Sequence, residues 1–286
     1  MNFQFDLSEM EFRLFRDFIH EKFGIYFKDE KRSFMRMKLY PRVMTLGFKS
    51  FNQYFQFIRH KPDGEKELTR MISLLTNTET YFFREMPQLI VFRDFLLPGL
   101  RKKKLEQGDK NIRILSAGCS TGEEVYTLAM LTFETGSFFW GWDVQITGLD
   151  VNEKALDTAR RGTYYERSFR MTEPKYMNKF FSPNSGNFEA KHNIKRLTSF
   201  VYGNITEPLT WESMNNLDII FCRNVLIYFS EDKLKAVINN FYNALRDHGC
   251  LLLGHSETLT GIFDKFVPER YPETLVYRKK CPGNNF

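Results

Sequence analysis

Cysteine is scarce in this chain, with four in 286 residues: Cys119, Cys222, Cys250 and Cys281. Their separations fit neither a metal-ligand pattern nor a disulfide framework, so reduced thiols are expected and no metal is. No apolar run approaches the roughly 20 residues of a membrane-spanning helix. The opening Met1-Asn2-Phe3-Gln4-Phe5-Asp6 lacks the basic start and apolar stretch of a signal peptide, so a cytoplasmic protein without membrane insertion is expected. Repeats and low-complexity segments are absent too, which excludes solenoids and disordered arrays. What remains is an ordinary globular composition, 42% hydrophobic and 27% charged, with 30 phenylalanines spread along the chain as core. A net charge of +6 favours an acidic partner without specifying one.

Residues 1–75 read as helical. Ser8 followed by Glu11 is a capping-box pattern ahead of Phe12, Phe15 and Ile19. Further helices are predicted over 29–44, 50–59 and 64–75, and Pro41 is expected to kink or end the second. That second helix carries Arg32, Arg36, Lys38 and Arg42, which a solvated face explains as well as a binding face does. Residues 76–110 read as a linker with its own helix. From 111 onward strands at 112–116, 145–149, 199–202, 217–222, 249–253 and 274–278 alternate with helices at 123–134, 152–161 and 230–246. This rhythm predicts an α/β fold, a doubly wound and mostly parallel sheet, behind the all-α N-terminal domain. The interval 163–198 breaks the rhythm and is expected to be a small insertion of hairpin and short helix.

The most informative stretch is Ile112 to Met130. A short apolar strand runs into Ser116-Ala117-Gly118-Cys119-Ser120-Thr121-Gly122-Glu123-Glu124 and then into an apolar helix, the start of a nucleotide-binding βα unit. The loop is not G-x-G-x-x-G, and two carboxylates at the helix start repel a pyrophosphate. They suit a ligand with an ammonium and a sulfonium, which points to S-adenosylmethionine. Ligands of such sheets bind at the carboxyl ends of the strands. Asp150, ending the second strand, can accept both ribose hydroxyls or can serve the helix start near Asn152. Glu124 lines the same end or complements the helix dipole. Asn204 can bond an adenine edge, with Ile205 packing on the ring, or can be a turn residue. Arg223 and Asn224 follow the strand at 217–222 and close the pocket near the reacting end of the ligand.

Thr80-Tyr81-Phe82-Phe83-Arg84-Glu85, Ala117 through Glu124, Phe221-Cys222-Arg223-Asn224-Val225-Leu226-Ile227-Tyr228-Phe229 and Gly254-His255-Ser256-Glu257 resemble the chemotaxis receptor methyltransferases, the CheR family. The resemblance covers nearly the whole chain. It implies a class I, Rossmann-like methyltransferase over 111–286, a helical receptor-recognition domain over 1–75, and a linker over 76–110 that contributes to the cofactor site. The implied reaction moves a methyl group from S-adenosylmethionine to glutamate carboxylates of chemoreceptors and leaves S-adenosylhomocysteine. Carried over by position, Thr78, Thr80, Arg84, Glu124, Asp150, Asn204, Ile205, Arg223 and Asn224 line the cofactor site. Arg84 and Tyr228 sit nearest the reaction, and Cys119, Cys222 and His255 need no catalytic role. Thr78 stands where the family usually has Asn, and Pro41 interrupts a face that relatives often continue with arginine.

The implied partner is the acidic cytoplasmic helical bundle of a receptor, met by Arg32, Arg36, Lys38 and Arg42, with the enzyme acting as a monomer. A nucleic-acid methyltransferase would share the basic charge. The Asn/Asp-Pro-Pro-Tyr/Phe motif of the amino-methylating class is absent, however, and Cys222-Arg223-Asn224-Val225 stands in its place. A non-catalytic binding module is the other rival, and retained Arg84, Glu124, Asp150 and Tyr228 argue against it.

Overall fold

A computed structural model describes residues 4–136 and 141–280. Four helices come first: α1 (Glu9–Phe23), α2 (Arg32–Thr45), α3 (Phe51–His60) and α4 (Gly64–Leu75). The capping box at the start of α1 is present, with the Glu11 N–H donating to Ser8 Oγ and the Ser8 N–H donating to the Glu11 carboxylate. Phe12, Phe15, Ile19, Met35, Leu39, Val43, Tyr54 and Ile72 form the buried core of these helices. Of the two expected effects of Pro41, a kink or an end, the structure excludes the end, because α2 runs through it to Thr45. Its missing N–H lies on an exposed side of the helix, while Met35, Leu39 and Val43 hold the opposite side in the core, so burial outweighs one lost bond.

The linker forms α5 (Met86–Val91) and α6 (Leu97–Glu106), joined by a π turn over Phe92–Leu96. Then β1 (Asn111–Ala117), α7 (Glu123–Glu134), β2 (Asp143–Asp150) and α8 (Glu153–Arg161) follow in the expected order. The insertion holds β3 (Thr163–Tyr164), α9 (Pro174–Phe180), β4 (Phe181–Asn184), β5 (Asn187–Ala190) and α10 (His192–Lys195). The main sheet resumes with β6 (Thr198–Tyr202), α11 (Pro208–Trp211), β7 (Leu217–Cys222), α12 (Glu231–Ala244), β8 (Leu245–Leu253), β9 (Phe266–Tyr271) and β10 (Thr274–Lys279).

The seven-stranded sheet runs β6-β2-β1-β7-β8-β10-β9, parallel except where β10 pairs with β8 and β9, and β3-β5-β4 make a separate small sheet. Alternating residues serve its two faces. Ile112, Ile114, Ile146, Phe221 and Leu252 pack with the linker helices and α7, whereas Leu115, Leu149, Ile220 and Leu251 pack with α12. The edge strand β9 was not expected. Phe266-Val267-Pro268-Glu269-Arg270-Tyr271 carries a proline and two charges, which only an edge accommodates.

Strand order reverses between β1 and β7, so the loops after these two strands face each other across a crevice. The helical domain covers that crevice. Ile25 bridges to Phe229, the Tyr26 N–H donates to the Tyr228 carbonyl at 2.9 Å, and Asn152 Nδ2 donates to Thr76 Oγ1 at 2.9 Å. No helix among the described residues is long and apolar enough to cross a membrane.

Candidate active site

A cavity of about 760 Å³ opens at the crevice, walled by the loops after β1, β2, β6 and β7, by the 76–84 segment, and by residues 23–38 of the helical domain. Thr78, Thr80, Arg84, Glu124, Asp150, Asn204, Ile205, Arg223, Asn224 and Tyr228 all line it. Residues more than 140 positions apart are thus brought to one surface by parallel strands that end at the same level.

The loop after β1 is tied down by its peptide groups. The N–H groups of Gly118 and Cys119 donate to the Leu149 carbonyl, and the Ser120 N–H donates to Asp150 Oδ2 at 2.7 Å. Asp150 Oδ1 accepts the Asn152 N–H at 2.8 Å, while Asn152 itself caps α8. A carboxylate offers about four acceptor positions, so two remain for a diol. Burial raises the Asp150 carboxyl above its ordinary range, against the Asn152 and Ser120 backbone hydrogen bonds that lower it.

The two helix-start carboxylates diverge, which corrects the expectation that both face the ligand. Glu123 is buried, accepts from Thr121 Oγ1 and Ser168 Oγ, and does not line the cavity. Burial pushes its carboxyl up, and the Thr121 hydrogen bond opposes this. Only Glu124 faces the cavity, already paired with Arg223 Nε at 2.5 Å and Ser116 Oγ at 2.7 Å. Arg223 Nη1 donates in turn to the Arg84 carbonyl at 2.9 Å and lies 3.6 Å from Glu85 Oε2. The Arg84 guanidinium donates to the Glu79 carbonyl and lies 5.8 Å from the Tyr81 ring centre. Among the described residues it makes no salt bridge.

Asn204 is the second correction. Its Oδ1 accepts from the Thr206 N–H and Oγ1, and its Nδ2 donates to the Lys22 carbonyl at 2.7 Å and to Glu207. The side chain is a turn cap and a tether to the helical domain, with its amide hydrogens and oxygen engaged within the protein, while Asn204 and Ile205 both line the cavity. Arg42 is the third. It grips the buried Glu67 through Nε at 2.8 Å and Nη2 at 2.6 Å, and Tyr54 donates to the same carboxylate. Of the four basic residues of α2, Lys38 alone lines the cavity, joined there by Lys28 and Lys31. Arg36 donates to Asp6, and Arg32 stands exposed.

Among the described residues no thiol is poised as a nucleophile. Cys119 and Cys222 are buried and their thiols are held well above the usual range by that burial, while Cys250 is pushed up to about 12. Cys281 lies outside the described residues. One residue of the site had no role assigned from sequence. Glu257 accepts hydrogen bonds from the N–H groups of Asn224, Val225, Leu226, Ile227 and Gly254. Its presence in the fourth motif was the available signal.

Models of known families match across these elements. The SAM-binding domain of the CheR methyltransferases matches residues 78–274, and the all-alpha domain of the CheR methyltransferases matches 10–76. The chain belongs to the CheR methyltransferase family. Relatives in that family include chemotaxis protein methyltransferase 2 of Vibrio cholerae, 31% identical over 98% of this chain and 96% of the relative. The chemotaxis protein methyltransferase of Vibrio parahaemolyticus is 34% identical over 96% of this chain and 98% of its own length. That of Borreliella burgdorferi is 32% identical over 91% and 92%. As a CheR methyltransferase the chain uses S-adenosylmethionine, and the residues present fit it. Asp150 keeps acceptors for a ribose, Glu124 lines the cavity, and the buried Asn224 Oδ1 has no hydrogen-bond partner among the described residues.

Proposed function

We propose that this chain transfers the methyl group of S-adenosylmethionine to glutamate side-chain carboxylates on the cytoplasmic helical bundle of chemoreceptors, forming methyl esters. The observation that carries the reading is the Arg84 guanidinium, half-buried at the cavity wall and without a carboxylate partner among the described residues.

A glutamate carboxylate has a reference pKa of about 4.3, so the substrate arrives ionised and needs no general base. S-adenosylmethionine supplies, when bound, a methyl carbon activated by its sulfonium. The protein must hold the carboxylate in line with that carbon and strip its water. Arg84 presents a planar fork that pairs with a carboxylate and leaves its second lone pairs free to react. Tyr228, which also lines the cavity, offers a neutral O–H donor. Arg223 cannot share in this, because Glu124 and the Arg84 carbonyl already engage it. Glu124, Asp150 and Asn224 hold the cofactor, with Thr78 and Thr80 from the linker and Asn204 and Ile205 completing its walls.

The receptor meets the mouth of this cavity through the helical domain. Lys38, Lys28 and Lys31 surround Phe34 there, and Lys31 and Lys38 stand 5.8 and 5.7 Å from its ring. Arg32 and Arg36 extend that basic face, and Arg42 supports it from inside through Glu67. The recognition unit is residues 1–75, the catalytic unit 111–286, and the enzyme works as a cytoplasmic monomer without nucleic acid. Fragmentation mass spectrometry of a receptor cytoplasmic fragment after reaction tests the assignment. One methyl group on glutamate side chains supports it, and a methyl group on lysine, arginine or a backbone terminus overturns it.

A further inference from the structure

The loop from Cys222 to Ser230 bears both Asn224 and Tyr228, and it is an awkward piece of chain. Asn224 sits in the left-handed region at φ 59°, and Leu226–Tyr228 make a single 3₁₀ turn. The N–H groups at the start of such a turn have no partner within it. One side chain satisfies them. Glu257 Oε2 accepts from Gly254 at 2.7 Å and Asn224 at 2.9 Å, and its Oε1 accepts from Leu226 at 2.7 Å, Val225 at 3.0 Å and Ile227 at 3.3 Å. The carboxylate has about four acceptor positions, so five donors saturate it. It is therefore closed to cofactor and substrate alike.

The approach is close enough to exclude a side chain at Gly254. A Cβ there would stand 2.8 Å from Glu257 Oε2 and 2.9 Å from the Asn224 nitrogen. On the far side of the loop the Tyr26 N–H holds the Tyr228 carbonyl, and Ile25 pairs with Phe229. The segment is thus clamped between Glu257 and the helical domain, with the Tyr228 side chain projecting from the clamp into the cavity.

We propose that Glu257 is a positioning residue for the methyl transfer: by collecting the peptide N–H groups of 224–227 it fixes where Asn224 and Tyr228 stand, while touching no reacting atom. This rests on the methyl-transfer reading above. The test uses the full chain with Glu257→Gln, which keeps the shape but turns an amide NH₂ toward N–H donors. Methyl transfer to a receptor fragment is expected to lose about a hundred-fold in kcat, the scale of a 1 Å misplacement, with KM for the fragment little changed. Adding Tyr228→Phe to Glu257→Gln is expected to cost much less than Tyr228→Phe alone, because both changes act through one hydroxyl. Full additivity would overturn the proposal.

A second measurement is independent of turnover. Amide hydrogen exchange in peptides spanning 224–228 is expected to accelerate in Glu257→Gln while α7 exchanges as before. Unchanged exchange at 224–228 refutes the clamp whether or not receptors are the substrate. Should Glu257→Gln fail to fold, Gly254→Ala displaces the same carboxylate with its charge retained and is read by the same exchange. A wild-type enzyme that methylates no receptor carboxylate would remove the functional reading and leave the exchange result to decide the role of Glu257.

Discussion

Asp150→Ala should remove most cofactor affinity while leaving a folded protein. The wild-type carboxylate commits one position to the Ser120 N–H and one to the Asn152 N–H, leaving two for the ribose diol. Hydrogen bonds to a charged acceptor contribute about 1.5–3 kcal/mol each, so two are worth about 3–6 kcal/mol, or roughly a hundred- to ten-thousand-fold in Kd. Looser tethering of the loop after β1 adds to the same loss. The assay is calorimetric titration with S-adenosylhomocysteine, checked by circular dichroism for an intact fold. The diol argument adds a control: wild type should discriminate strongly between adenosine and 2′,3′-dideoxyadenosine as competitors, and the variant should not. Because burial raises the Asp150 carboxyl, wild-type affinity should fall in acid at a higher pH than an ordinary aspartate would dictate. A variant that binds S-adenosylhomocysteine within about three-fold of wild type would refute the reasoning, since that is under 1 kcal/mol.

Three further outcomes are expected. Burial raises Glu67, but its bonds to Arg42 and Tyr54 outweigh this and hold its carboxyl below the usual value, so the pair stabilises fully at neutral pH and fades as pH falls through that lowered value. Glu67→Gln should then cost about 3 kcal/mol at pH 7, from the unpaired Arg42, and flatten the acid limb of stability in urea titrations. Gly24→Ala places a Cβ 2.6 Å from the Phe229 ring at φ 73°, so a loss of about 2–4 kcal/mol in the same assay is expected, with kcat falling as the neighbouring Tyr228 shifts. Reversing Arg36 and Lys38 together to Glu should raise KM for a receptor fragment about ten-fold at low salt, with S-adenosylhomocysteine affinity unchanged; unaltered methylation kinetics would remove α2 from the interface.

Local pattern carried most of the fold. The capping box, the extent of α4 and α7, and the alternation from β1 to β8 were legible because each is set by neighbours within a turn or by parallel-sheet periodicity. Pro41 did not end α2 because Met35, Leu39 and Val43 of that helix are buried against the other helices of the domain, a benefit no local pattern shows. Strand β9 was hidden because an edge position, visible only in the assembled sheet, is what tolerates Pro268. At the site, residue types at strand ends were readable, and the directions of their side chains were not. Asn204 bonds the carbonyl of Lys22, Arg42 bonds Glu67, and Glu257 reaches back to Asn224, each across a sequence gap that no local pattern encodes. Glu123 and Glu124 are adjacent and chemically identical, yet Ser168 draws one away and Arg223 holds the other at the cavity.

The most direct measurement transfers a labelled methyl group from S-adenosylmethionine to a receptor cytoplasmic fragment, treats the product with mild base, and counts volatile methanol. Methyl esters of carboxylates hydrolyse under these conditions and N-methyl groups do not. The account predicts base-labile label on the fragment with wild-type enzyme and almost none with Arg84→Ala, which has lost the cation that holds the carboxylate. Base-stable label, or base-labile label that survives Arg84→Ala undiminished, would contradict it.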